Sequence, residues 1–306
     1  MMANITAQMV KDLREKTGVG MMDCKNALTE TGGNISEAID WLRAKGISKA
    51  AKKADRIATE GLIGTIVNGN TSAIIELNSE TDFVARNVEF QNLVTNILSV
   101  SINSVDPLNE MYPNSKITVA EEIKEKITTI GENLNLRRFK SLNVEKGVIV
   151  SYIHNSVANN LGKIGVLLSI ETTAESGLVL DLGKQLAMHI AALNPISLNI
   201  EDVDKDTLNK ERAIITEQAN ETGRPQNIIE KMVEGKINKF LEENVLLSQT
   251  FVIDNETKIN DLIAIKSKEI GHPINLSSFI RMELGEGLEK KEENFADEVA
   301  ATMAKS

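Results

Sequence analysis

Aromatic side chains make up only 3% of this 306-residue chain, seven Phe, two Tyr and one Trp, so the core must be aliphatic and each aromatic is informative by position. A single cysteine, Cys24, excludes an internal disulfide framework and reads as a small core residue rather than a reactive thiol. Three scattered histidines, His154, His189 and His272, offer no zinc-ligand spacing, so neither a metal nor a cofactor is expected. No apolar run approaches the roughly 20 residues needed to span a bilayer. The first residues, Met1-Met2-Ala3-Asn4-Ile5-Thr6, lack both a signal h-region and an Arg-rich transit character, so a cytoplasmic address is expected. There is also no phosphate-binding Gly-rich loop with its lysine and no Gly-x-Ser-x-Gly elbow, and the expectation is a protein that is not an enzyme.

Positive charge is also in deficit. The net charge of −10 argues against general binding to nucleic acid, whose phosphates would be repelled. The distribution is uneven: residues 1–56 carry ten Lys and Arg against seven Asp and Glu, which leaves −13 for the rest. Much of that local excess sits in Lys45, Lys49, Lys52, Lys53 and Arg56, a run that reads as a solvated helix or linker. A protein partner is the better expectation.

What is present organises the chain into an α+β protein with a helical start. Residues 1–56 read as three short helices, roughly Thr6–Lys16, Met22–Glu30 and one from Asn34 with Ser36 as cap and Lys45-Gly46 as stop, a bundle like a ubiquitin-associated domain. Residues 57–140 form a first core subdomain: strands Gly61–Val67 and Ser72–Leu77 around Asn68-Gly69-Asn70, a helix at Val88–Ile102 with Phe90, Leu93, Val94, Ile97 and Leu98 as its stripe, a helix at Val119–Ile130 and a strand at Leu134–Leu142. Residues 141–204 and 248–290 form a second, repeating the hairpin-plus-helix design through Val148–His154, Lys163–Ile170 and Leu178–Leu193, so antiparallel sheets are expected in both. Between them, residues 205–247 present two polar helical arms split by Gly223-Arg224-Pro225, a protruding antiparallel coiled-coil hairpin. The hairpin reads equally as a dimerisation arm or as a self-contained extension. Residues 291–306 read as a C-terminal helix, and the Glu-rich turn Glu283–Glu293 as a solvated face.

The stretch Asn78–Asn87 places an acid beside one of the few aromatics where a strand stops and a helix starts. On pattern alone, Thr81 or Asp82 is a helix cap and Phe83 a core staple. Thr81-Asp82-Phe83-Val84-Ala85 together with Gly20-Met21-Met22-Asp23-Cys24-Lys25, however, resembles the signature pair of the elongation factor Ts family, the bacterial exchange factors. Four further segments in the same order resemble family motifs: Ile130 to Arg138, Ala187 to Ala192, Glu230 to Lys236 and Phe279 to Gly287.

That resemblance implies a partner, the GTPase elongation factor Tu in its GDP-bound and nucleotide-free states, and an activity, acceleration of GDP release. It implies that Asp82 and Phe83 wedge into the partner's nucleotide domain and displace groups that support Mg²⁺, while Thr81 and Val84 shape the loop. It also implies partner contacts by Met21 and Met22, which otherwise read as gap-filling core residues, and by His154, which otherwise reads as a strand-end histidine. The loop Asn155–Leu161 departs from the family in lacking the glycines that often follow that histidine. The rival expectation is a non-catalytic adaptor that captures partners through the three-helix module.

Overall fold

The computed structural model describes residues 5–17 and 19–288, without the side chains of 47–52; the expected C-terminal helix lies outside the described residues. Helices α1 (Ala7–Thr17), α2 (Met21–Glu30) and α3 (Ile35–Lys53) close around Leu13, Val19, Cys24, Ala27, Leu28, Ala38 and Leu42. Cys24 is therefore a buried core residue. α3 differs from the sequence expectation at both ends. Asn34, not Ser36, is the cap: its Oδ1 accepts the Ser36 and Glu37 N–H groups at 3.0 and 3.3 Å. The helix also does not stop at Lys45-Gly46 but continues to Lys53, so the Lys-rich connection is helical.

The first core unit runs β1 (Glu60–Asn68), β2 (Thr71–Ser79), α4 (Asp82–Ala85), α5 (Val88–Ser101), α6 (Val119–Ile130) and β3 (Asn135–Asn143). β1 and β2 join at a tight hairpin with Asn68 opposite Thr71, and β3 adds antiparallel to β2, continuing past the division expected at 140. The second unit runs β4 (Gly147–His154), β5 (Leu161–Gly162), β6 (Ile164–Thr172), α7 (Ser176–Leu193), α8 (Lys205–Asn220), α9 (Gln226–Asn244), α10 (Ile259–Ile270) and β7 (Ile274–Glu283). Its plan repeats the first: an antiparallel pair, a helical segment, then a third strand laid antiparallel on the second, with a register shift in each third-strand pairing. Short β5 crosses between the units, pairing with β1 and making the sheets β3-β2-β1-β5 and β4-β6-β7.

The inner strands β1, β2 and β6 are buried on both faces, which is why they read as apolar runs. Edge strand β3 is more polar, and edge strand β7 alternates over its first residues. Between the sheets lie Ile63, Ile74, Leu167, Ile280 and Met282. The outer face of the first sheet packs Leu62, Ile75 and Leu77 against Phe90, Leu93, Ile97, Ile123 and Ile127 of α5 and α6. The outer face of the second packs Val166, Leu168 and Ile170 against Val179, Leu186 and Ile190 of α7 and Ile263 of α10. The core is thus four layers, helix, sheet, sheet, helix, with neighbouring residues of one strand, such as Leu167 and Leu168, serving different interfaces.

The N-terminal module docks on this core through α3 and α6. Arg43 pairs with Glu121 and Glu125 at 3.4 and 3.3 Å, and Thr128 Oγ1 donates to the Gly46 carbonyl at 3.2 Å. A Cβ at Gly46 would sit 3.0 Å from that hydroxyl oxygen, so this glycine serves close helix approach rather than helix termination.

α8 and α9 pack as an antiparallel pair through Ile215, Ala219, Ile229, Val233 and Ile237, flanked by Leu208 and Leu241. Where the arm returns to the core, the Ala187 to Ala192 motif supplies buried His189. Its Nδ1 accepts the Val252 N–H at 3.2 Å, which leaves Nε2 to donate to Gln249 Oε1 at 2.9 Å. The Nδ1 bond requires a neutral ring, and burial lowers its pKa, outweighing the Gln249 bond, which an imidazolium could also make. The unfolded chain then binds the extra proton first, so stability falls as pH drops below about 6.5, at no more than about 1.4 kcal/mol per pH unit from this group. Urea unfolding of wild type and His189→Gln between pH 7.5 and 5.5 checks this. The variant lacks that component of the slope; identical slopes would refute it.

Candidate functional site: a clamped turn with an outward phenylalanine

β2 ends in an abrupt change of direction. Strand geometry stops at Ser79, and Asp82–Ala85 winds a single helical turn before Asn87 caps α5 by accepting the Glu89 N–H at 2.8 Å. Within that turn the side chains divide by burial. Val84 and Ala85 enter the core beside Phe90, while Phe83 is 76% exposed. The staple reading of Phe83 is therefore corrected: the structure places the ring in solvent. Val88, also exposed, adds apolar surface at the start of the next helix.

The turn is held from several sides. Ser79 Oγ donates to the Thr81 carbonyl at 2.9 Å, and Gln91 Nε2 donates to the Ala85 carbonyl at 3.2 Å. Thr81 holds the N-cap position, but its hydroxyl makes no capping bond. It donates to Glu132 Oε1 at 2.6 Å, and the Thr81 N–H donates to Glu132 Oε2 at 3.0 Å. Asp82 pairs with Arg86 at 3.0 Å one helical turn away, an exposed pair that a partner can open at small cost. Of the four residues expected at the partner, the wedge pair Asp82 and Phe83 presents accessible side chains, and Val84, only 8% exposed, anchors the turn beneath them.

Met21 and Met22 open α2 and are 60% and 69% exposed, because that helix turns Cys24, Ala27 and Leu28 inward. They are not the gap-fillers that pattern alone allows. His154 ends β4 in solvent, its Nδ1 3.1 Å from the Tyr152 hydroxyl. In the loop that follows, Asn155 and Asn160 take φ of 51° and 59°, the left-handed conformation that asparagine tolerates and glycine more often fills. The missing glycines are thus accommodated without loss of the turn.

Sequence reasoning missed the support. Glu132 and Asn133 lie in the Ile130 to Arg138 motif, yet nothing in one sequence says that they reach the turn after β2. It missed a second cluster as well. Glu76, fully buried on β2, accepts from Arg137 Nη1 at 3.0 Å, from Arg138 Nε, from Asn78 Nδ2 at 3.1 Å and from the Gly285 N–H at 2.8 Å. Arg138 also reaches the Glu283 carbonyl at 2.5 Å and Glu286 at 2.8 Å, and Arg281 pairs with Glu283 at 2.8 Å. In the described part of the Glu-rich turn, residues 283–288, Glu283 and Glu286 are therefore taken up by arginines instead of forming a wholly solvated face; residues 289–293 lie outside the described residues.

Residues 80–286 match the family model described as Elongation factor TS. The chain is 52% identical over 305 residues to Elongation factor Ts of Rickettsia bellii, covering 98% of each chain. It is 51% identical over 302 residues to that of Bartonella henselae, covering 97% of this chain and 98% of the relative, and 50% identical over 304 residues to that of Parvibaculum lavamentivorans, covering 98% and 99%. With the layered core and its projecting arm, these matches define a class, the elongation factors of translation. Within that class, the chain belongs to the elongation factor Ts family.

Proposed function

We propose that the protein is a guanine nucleotide exchange factor that binds elongation factor Tu with GDP, promotes GDP release and stays bound until GTP enters. The observation that carries this reading is the outward Phe83 on a turn anchored by buried Val84 and Ala85 and by the hydrogen-bonded Thr81. A single aromatic anchor on a rigid base can dominate a protein interface, because its contact area is gained without ordering a loop. In the partner, GDP depends on a phosphate-cradling loop and on a Mg²⁺ that demands near-octahedral coordination. A ring inserted between supporting helices displaces the groups around that ion, and Asp82, released from Arg86, redirects their polar contacts. No chemistry occurs on this chain, so the protein acts without a catalytic residue or cofactor of its own.

Met21 and Met22 supply a second apolar contact from the N-terminal module, and His154 a third from the second unit. Linkage makes the exchange reversible: the ratio by which the factor weakens GDP binding is the ratio by which GDP weakens factor binding. The cytoplasm, where translation elongation takes place, is the proposed location. The arm is a candidate dimerisation element, with Ile214 and Ile228 exposed along it.

Stopped-flow release of fluorescent GDP from purified elongation factor Tu tests the reading. The release rate is expected to rise with factor concentration and to saturate. A complex that forms and leaves the GDP off-rate unchanged would instead support the adaptor reading, for which the exposed Met21 and Met22 are the favouring observation.

A further inference from the structure

We infer that Glu132 is a positioning residue for the Phe83 turn, holding the anchor in its insertion geometry from the end of α6. The inference rests on the exchange reading above and adds to it a residue that never meets the partner's nucleotide site. Two loops trade carboxylates. Glu132 accepts both the N–H and the hydroxyl of Thr81, two residues before Phe83. Glu80, immediately before Thr81, accepts the Asn133 N–H at 2.6 Å in return, and also pairs with Arg56 at 3.5 Å. Each carboxylate thus fixes backbone of the opposing loop, with charge-assisted bonds of the stronger kind.

The geometry of α6 makes the clamp possible. Gly131 ends the helix at φ 91°, in the left-handed region, and that reversal brings Glu132 back toward β2. The same short segment carries the N-terminal module. Lys53, the last residue of α3, donates to the Gly131 carbonyl at 2.5 Å, and Asn133 Nδ2 donates to the carbonyls of Arg56 and Ala54 at 2.8 and 3.3 Å. Residues 131–133 therefore tie together the module bearing Met21 and Met22 and the turn bearing Phe83.

Rotamer chemistry separates positioning from charge. In Glu132→Gln both bonds survive in neutral form, since the Thr81 hydroxyl can rotate to accept from the amide while the amide oxygen accepts the Thr81 N–H. In Glu132→Ala both are lost, and the turn must be ordered again at each encounter. The expected results are a GDP-release efficiency lowered about tenfold by Glu132→Ala, largely restored in Glu132→Gln, and no further loss when Glu132→Ala is added to Phe83→Ala. Thr81→Val, which removes the hydroxyl bond from the other side, reproduces part of the loss and carries the test if Glu132→Ala does not fold. Thermal melts by circular dichroism accompany each variant. An undiminished rate in Glu132→Ala with Phe83→Ala impaired would overturn the positioning role alone, as would equal fractional losses with and without Phe83. An undiminished rate in Phe83→Ala would overturn the exchange reading itself.

Discussion

Phe83→Ala is expected to lower stimulated GDP release from elongation factor Tu by about 30- to 1000-fold in efficiency, the 2–4 kcal/mol typical of a truncated aromatic anchor. The fold should not register the change. The ring is exposed, so its removal leaves no cavity, and surface substitutions of this kind stay within about 0.5 kcal/mol in stability. Phe83→Leu should recover part of the activity, because a branched aliphatic fills some of the ring's volume but lacks its flat, rigid contact area. Stopped-flow release at several factor concentrations, with urea unfolding alongside, checks both halves. A rate undiminished by Phe83→Ala would remove the turn from the mechanism.

The largest expected effect on stability comes from Glu76→Ala. Glu76 is fully buried and carries the negative charge around which Arg137 and Arg138 are arranged. Its removal leaves two guanidinium groups about three-quarters buried with only Glu286 and the Glu283 carbonyl as partners, and the Gly285 N–H with no acceptor there. The cost falls near the lower end of about 3–5 kcal/mol. For a core of this size that corresponds to a melting temperature lower by roughly 10 °C. The network also joins β2 and β3 of the first sheet to the turn after β7 of the second, through the Gly285 N–H and Glu286. Loss of Glu76 should therefore loosen the two units from each other before either melts, seen as earlier amide exchange at Glu283 to Glu286 than in the outer helices. A loss below about 1 kcal/mol would show that the arginines find other partners.

The local elements were largely legible in the chain. The apolar stripe of α5, the α6 helix at Val119–Ile130, the tight turn at Gly69-Asn70 and the paired arms around Gly223-Arg224-Pro225 depend on residues a few positions apart, where propensity and periodicity act directly. α3 was misread for a related reason. Glycine is a helix stop when only local preference counts, but the fit of Gly46 against Thr128 of α6 outweighs the modest helix cost of a glycine. The candidate site was legible in part. Thr81-Asp82-Phe83 could be singled out, but whether Phe83 pointed in or out could not, because a single helical turn between two longer elements has no periodicity of its own.

The sequence by itself determined the α+β composition, the order of helices and strands, the Phe83 turn as a special place and, through its motifs, the family. Only the tertiary structure decided that Phe83 faces solvent while Val84 is buried, that Glu132 and Glu80 clamp the turn, that β5 crosses to the first sheet and that Glu76 gathers arginines across two units. The division has one physical cause. Hydrogen bonds and apolar spacing within an element act over a few residues and leave a pattern in the chain. A carboxylate 51 residues from the threonine it holds does not, because the free energy of that contact exists only once the intervening chain has folded.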